Sequence, residues 1–195
     1  MVLLTGATGY VGGRLLSRLT HAGVAVRCLT RRPEAMAHRV EAGVEVVEGD
    51  VLDPPSLVDA MRGIDQAFYL VHSMGTGPDF EEQDRRGAQA FAEAAAKAGV
   101  QRIVYLGGLV AEEGPLSSHL RSRVEVGEVL RSTGVPVLEF RASVIIGSGS
   151  LSFELVRALV ERLPAMVTPR WVDVPAQPIG IDDVLAYLLA GLDRP

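Results

Sequence analysis

Cysteine, lysine and tryptophan each occur once in these 195 residues, and aromatic side chains make up only 5%. A single thiol, Cys28, cannot form an internal disulfide, which excludes a disulfide-stapled secreted scaffold and points to an intracellular setting. Cys28 lies in the apolar run Val24 to Leu29, where a buried structural thiol is expected rather than a reactive one. The histidines and this cysteine show no metal-ligand spacing, so no metal site is expected. Apolar runs are short, such as Ala67 to Val71, and the start MVLLTG has no basic segment before an apolar one. Neither a membrane span nor a signal peptide is expected, and the chain is assigned to the cytoplasm. Basic groups number 19 against 24 acidic ones, a net charge of -5, so nothing suggests a domain that neutralises a nucleic-acid backbone. Lys97 is the only lysine, and any chemistry that needs an ammonium has that one candidate.

What remains is the composition of a packed domain, 48% hydrophobic and 22% charged, with a length suited to one domain over residues 1–195. Short apolar runs alternate with longer helical patterns. Strands are expected at Val2 to Thr5, Val24 to Thr30, Val44 to Glu48, Gln66 to Val71, Arg102 to Leu106 and Pro136 to Phe140. Helices are expected at Tyr10 to His21, Pro33 to Ala42, Pro54 to Arg62, Asp79 to Ala98 and Ser117 to Ser132. Gly23, Gly43, Gly63, Gly99 and Gly134 stand where those helices end, the usual place of a left-handed cap. Beyond Arg141 the pattern loosens into a helix near Leu151 to Leu163, an irregular stretch, and a last helix from Ile181 or Asp182 to Leu192. Glu81, Glu82, Asp84, Arg85 and Arg86 read as the solvated face of a helix whose inner face carries Phe80, Phe91 and Ala95. Successive βα steps predict an α/β, doubly wound parallel sheet in three layers, with ligands outside the carboxyl ends of the strands where strand order reverses.

The first strand runs into Thr5-Gly6-Ala7-Thr8-Gly9-Tyr10-Val11-Gly12-Gly13. Glycine is needed there three times over: Gly6 for a tight turn, Gly9 for close approach of a pyrophosphate, Gly12 for close packing of helix on strand. Gly6, Thr8, Gly9, Tyr10, Val11 and Gly12 are therefore candidate cofactor-binding positions, although a plain tight βα loop would use glycine too. The spacing is G-x-x-G-x-x-G rather than the general G-x-G-x-x-G.

With this turn go Gly49-Asp50-Val51-Leu52-Asp53 after the third strand, Leu70-Val71-His72-Ser73 at the end of the fourth, and Pro178-Ile179-Gly180-Ile181-Asp182-Asp183-Val184 near the end. Together they make nearly the whole chain resemble the short-chain dehydrogenase/reductase superfamily, and more narrowly its atypical, NmrA-like and complex-I-subunit-like branch. The resemblance implies a Rossmann fold, a nicotinamide cofactor, Asp50 and Val51 near the adenine, and Val71, His72 and Ser73 bordering the cofactor. Asp50 reads equally as a turn residue before Pro54, and His72-Ser73 as an ordinary strand end.

In this fold a carboxylate after the second strand binds the ribose hydroxyls of NAD, whereas arginine accommodates the 2′-phosphate of NADP. Thr30-Arg31-Arg32 stands there, so NADP(H) is expected over NAD(H), with Arg31 and Arg32 as its ligands; the alternative is a solvated pair at a helix start. Reductases of the superfamily carry a Tyr-x-x-x-Lys pair after the fifth strand, preceded by Ser or Thr at its end. Here His119 occupies the Tyr place, Arg123 the Lys place, and Gly107-Gly108 the hydroxyl place. Four apart, His119 and Arg123 share a helix face. His119 is the candidate proton donor and Arg123 a candidate ligand of ribose or phosphate, since a guanidinium does not release its proton near neutral pH. Gly147-Ser148-Gly149-Ser150 lacks the order of a nucleophile elbow and reads as a loop near the substrate side.

Three functions are open at this point: an oxidoreductase acting on an unknown small molecule without the Tyr-Lys relay, a non-catalytic dinucleotide sensor or assembly subunit, or a structural domain. In the branch resembled, the Asp182-Asp183-Val184 helix is followed by a further strand. This sequence stops at Pro195: either it is a natural short form or it is the cofactor-binding part of a longer protein, and a partial substrate site, which a C-terminal substrate-side segment or a protein partner would complete, is expected in both cases.

Overall fold

The computed structural model describes residues 1–39, 41–71, 79–110, 116–162 and 177–192. In order these form β1 (Val2–Thr5), α1 (Tyr10–His21), β2 (Val26–Thr30), a 3₁₀ helix (Pro33–Arg39), β3 (Val44–Glu48), α2 (Pro54–Ala60), β4 (Gln66–Tyr69) and α3 (Phe80–Ala98). There follow β5 (Arg102–Gly108), α4 (Ser118–Arg131), β6 (Val137–Ala142), β7 (Ile145–Ile146), α5 (Leu151–Arg162), β8 (Ile179–Gly180) and α6 (Ile181–Ala190). Six strands make one parallel sheet in the order β3-β2-β1-β4-β5-β6. The chain builds outward from β1 in one direction and from β4 in the other, so the order reverses between those two strands.

Strand alternation divides the core into two layers. Leu3, Tyr69, Ile103 and Tyr105 pack with Leu57, Phe91 and Leu130 of the α2, α3 and α4 side. Their neighbours Leu4, Phe68 and Val104 pack with Leu15, Leu19, Met36 and Leu188 on the α1, 3₁₀ and α6 side. A sheet covered on both faces accounts for strands that read as nearly continuous apolar runs. Cys28 is fully buried in the second layer, and desolvation pushes its thiol up to about 12.

All five glycines expected at helix ends have positive φ, from +70° to +87°. Two expectations are corrected, and one pair of strands is added. The segment expected as a helix from Pro33 to Ala42 is a 3₁₀ helix ending at Arg39; Met36 is its one buried side chain, too small an apolar face to hold an α-helix. β7 and β8, two residues each and parallel, were not legible, being too short to show a period. Asp84 is not solvated: it sits one turn from Phe80 and Ala88, is 7% exposed, and accepts a hydrogen bond from Ser122 Oγ of α4 at 3.0 Å.

On β6, opposite Tyr105 of β5, is a second buried carboxylate, Glu139, whose side chain is 5% exposed. Arg131 donates to its Oε2, and Arg141 donates to both oxygens at 3.0 and 3.1 Å. Gly107 and Gly127 make the room: a Cβ on Gly107 would meet Glu139 Oε1 at 2.5 Å, and one on Gly127 would meet both oxygens at 3.3 Å. Burial opposes ionisation of Glu139, but the bonds and charges of Arg141 and Arg131 outweigh it and hold the carboxyl below its usual range.

The join of α1 to β1 has less room still. Gly6 has φ +73°, and a Cβ there would lie 2.6 Å from Leu70 O; a Cβ on Gly12 would lie 2.2 Å from Gly6 O. Thr5 Oγ1 donates to Phe68 O at 2.9 Å and accepts from Leu70 N at 3.1 Å, tying the end of β1 to β4.

Two outcomes follow for stability. Gly12→Ala is expected to lower the urea-unfolding free energy by about 1–3 kcal/mol, because backbone, not a flexible side chain, must move. An unchanged midpoint would contradict the contact. Glu139→Gln is expected to cost about 1–2 kcal/mol at pH 7, its arginine partners being half-exposed and screened. Because the folded carboxyl titrates below the unfolded one, wild-type stability from this group is full above the unfolded value and lost as pH falls through the folded one. Unfolding curves of the two proteins should therefore converge in acid.

Candidate functional site

The carboxyl ends of β1 and β4, where strand order reverses, open onto the glycine-rich turn. Gly9 N donates to Gly6 O at 2.9 Å and closes the turn, and Gly13 N donates to Gly9 O as the first intrahelical bond of α1. Gly9 is the N-cap, with no side-chain cap, and the first turn of α1 holds no acidic residue. The N–H groups of Tyr10, Val11 and Gly12 thus point out of the helix with no helical acceptor and no neutralising carboxylate. Gly9 carries no side chain above them, and Thr8 beside it is exposed. A pyrophosphate fits this arrangement, since it supplies the acceptors and the charge that the turn lacks.

Tyr10 contributes its backbone there and not its ring. Its Oη is buried against Gly147, where a Cβ would come within 2.4 Å, and has no hydrogen-bond partner among the described residues. Arg14 stacks over the Tyr10 ring at 4.9 Å and donates to Ser148 O at 2.7 Å. The Gly147–Ser150 segment, expected as a loop near the substrate side, lies against the first turn of α1 and forms a wall of the site.

On the β2 and β3 side, Thr30 Oγ1 accepts from Arg32 N at 3.2 Å and shapes the turn that presents Arg31 and Arg32. Arg31 is 78% exposed, with Nη1 3.9 Å from Asp50 Oδ2. The Arg32 side chain is also exposed. Asp50 acts as a turn residue as well as a rim residue: its Oδ1 accepts from Leu52 N at 3.0 Å. Val51 packs its Cγ2 against Gly87, where a Cβ would lie 3.0 Å away, and Val71 packs on the α3-side core. His72 and Ser73 lie outside the described residues. Arg39, which sequence reasoning passed over, reaches back from the 3₁₀ helix and donates Nη1–H to Ala7 O at 2.8 Å. Between it and the turn is a cleft of about 620 Å³ bordered by Thr8, Gly9, Gly13 and Arg14.

At the end of β5, α4 is capped by Ser117 Oγ, which accepts from Leu120 N at 3.3 Å. The two candidates on this helix engage different elements. His119 is exposed and stacks on Phe80 of α3 with ring centroids 4.7 Å apart. Arg123 turns onto β5: it donates Nη2–H to Leu106 O, lies 5.5 Å from the Tyr105 ring, and accepts a bond from Tyr105 Oη at its own carbonyl. Burial pushes the Tyr105 phenol up to about 12, against the lowering influence of Arg123. A hydroxyl residue in place of Gly107 would collide with Glu139, and one in place of Gly108 would meet Leu120 Cδ1 at 2.5 Å. Among the described residues no three His, Cys, Asp or Glu groups converge as metal ligands, and no helix is long and apolar enough to cross a membrane.

Known proteins share both sequence and fold with this chain. The NAD(P)H-binding family model matches residues 6–134. A (4-alkanoyl-5-oxo-2,5-dihydrofuran-3-yl)methyl phosphate reductase of Streptomyces griseus is 39% identical over 178 residues, 87% of this chain and 59% of that protein. The chain thus spans less than two thirds of that relative's length. Triphenylmethane reductase of Citrobacter, solved with NADP(H), is 27% identical, with a TM-score of 0.66 over 82% of this chain and 54% of that one. A short-chain dehydrogenase/reductase superfamily protein from Agrobacterium tumefaciens with bound NAD shares the fold over all of this chain and 74% of its own, with 21% identity and a TM-score of 0.77. A Rossmann sheet with its glycine-rich turn at the strand-order reversal, matched by this family from that turn through β5 and α4, makes the chain a member of the NAD(P)H-binding family.

Proposed function

We propose that this domain binds NADP(H) across the ends of β1 and β4 and serves the reduction of a small carbonyl or enone compound without a Tyr-Lys relay. The uncapped first turn of α1, held by Gly12 against Gly6 O, carries the reading, because it offers donors and positive potential to a pyrophosphate. The NADP(H) complex of the triphenylmethane reductase and the reductase activity named for the Streptomyces relative support it. The nicotinamide, when bound, supplies hydride chemistry.

This chain's own residues bind, orient and protonate. Tyr10, Val11 and Gly12 N–H groups hold the pyrophosphate, and Arg31 faces the 2′-phosphate, where its charge opposes that of Asp50. Arg123 keeps the mouth of β5 in shape through Leu106 O. His119, oriented by Phe80, gives the proton from a ring nitrogen to the reduced substrate's oxygen or carbon. A nucleotide-responsive assembly subunit is the second reading. It is favoured by one observation: the spaces beside Gly107 and Gly108, where a catalytic hydroxyl would stand, are filled by Glu139 and Leu120.

Nicotinamide-fluorescence titrations separate these readings. Wild type is expected to bind NADPH more tightly than NADH, and Arg31→Ala to weaken NADPH about tenfold while moving NADH about twofold or less. Absence of binding of either cofactor would overturn the proposal. With an α,β-unsaturated lactone or an alkyl aldehyde as substrate, His119→Ala should lower kcat about 100-fold with cofactor affinity retained. Wild-type binding without turnover of any such compound would leave the subunit reading in its place.

A further inference from the structure

Arg31 and Arg32 are the arginines that sequence position assigns to the 2′-phosphate, yet the structure places a third guanidinium closer to the turn. Arg39 donates Nη1–H to Ala7 O at 2.8 Å and Nε–H to His38 Nε2 at 3.2 Å. Its side chain lies over Gly13, where a Cβ would meet Arg39 Nη1 at 2.3 Å, so the absence of a side chain at 13 is what lets Arg39 reach the turn.

Both acceptors are neutral: one is a carbonyl, and an imidazole nitrogen that accepts a hydrogen bond carries no proton. Glu41 borders the same cleft, but no carboxylate among the described residues pairs with Arg39. A half-buried positive charge is thereby left uncompensated, with three N–H donors still unused. The nearby Arg31 and Arg14 differ from it in this respect. Arg31 faces Asp50, and Arg14 is held by Ser148 O and the Tyr10 ring.

We infer that Arg39, rather than Arg32, is the second guanidinium holding the cofactor's 2′-phosphate, reaching it across the cleft beside the exposed Thr8. This rests on the NADP(H) reading above and adds to it the residue that makes the preference. The bond to Ala7 O couples the two jobs: the guanidinium that stabilises the turn is aimed by it at the ribose phosphate. A fork that keeps one donor on the protein and offers the rest to a phosphate suits arginine and no other side chain.

The test compares Arg39→Gln, Arg39→Ala and Arg32→Ala with wild type in titrations of NADPH, NADH, adenosine 2′,5′-bisphosphate and 5′-AMP. Gln retains a donor for Ala7 O and removes the charge, so it separates recognition from support of the turn. Expected is a weakening of NADPH and the bisphosphate of about tenfold in Arg39→Gln and Arg39→Ala, with NADH, AMP and the Arg32 variant moved about twofold or less. Equal weakening of all four ligands in Arg39→Gln would assign Arg39 to the turn alone and overturn the inference. So would a wild type that prefers NADPH and an Arg39→Gln that keeps the preference. A wild type that binds NADPH and NADH alike would instead overturn the NADP(H) reading, and this inference with it.

Discussion

The contact between Gly12 and the carbonyl of Gly6 is the constraint on which the rest depends. With 2.2 Å left for a Cβ, helix α1 can lie on the end of β1 only while position 12 is glycine. That approach aims the open first turn of α1 at the place where β1 and β4 diverge. Thr5 Oγ1 fixes the same place from the other side, donating to Phe68 O and accepting from Leu70 N. The site is thus made by backbone geometry at the centre of the sheet, and side chains at its rim are left to choose the ligand.

A chain with one lysine uses arginine for a second task besides recognition. Arg27 donates to the carbonyls of Ala60 and Arg62 at the end of α2, Arg102 to that of Gly191 after α6, Arg123 to that of Leu106, Arg14 to that of Ser148, and Arg39 to that of Ala7. A planar fork of five donors can collect carbonyls left over where strands and helices end, which a single ammonium does less well. Three of these bonds border the candidate site and hold its walls. The cost is that charge is concentrated beside carbonyls, where an anionic ligand can complete the pairing.

Legibility from sequence followed the range of the interaction. The six long strands and the glycine ends at 23, 63, 99 and 134 depend on neighbours a few residues away, and they are where the pattern puts them. The glycine-rich turn was legible for the same reason. Asp84 was misread because its partner, Ser122, is 38 residues distant, and helical phase alone does not say that a carboxylate has been supplied with a donor. Arg39 was missed because its meaning comes from Ala7, 32 residues back, and from the absence of a side chain at Gly13. Gly107 and Gly108 looked like missing catalytic hydroxyls; the structure shows what occupies their space, Glu139 and Leu120, both brought in from other elements. The pairing of β7 with β8 joins residues 34 apart in a ladder too short to leave a trace in the sequence.

Binding of a dinucleotide at the first turn of α1 underlies every role proposed for the rim side chains. Backbone amide chemical shifts of the isotope-labelled protein, followed as NADPH is added, test it most directly. The largest shifts are expected at the amides of Tyr10, Val11 and Gly12, because those N–H groups acquire the pyrophosphate as acceptor. Saturable binding with these amides unmoved, and the shifts gathered elsewhere on the sheet, would contradict it.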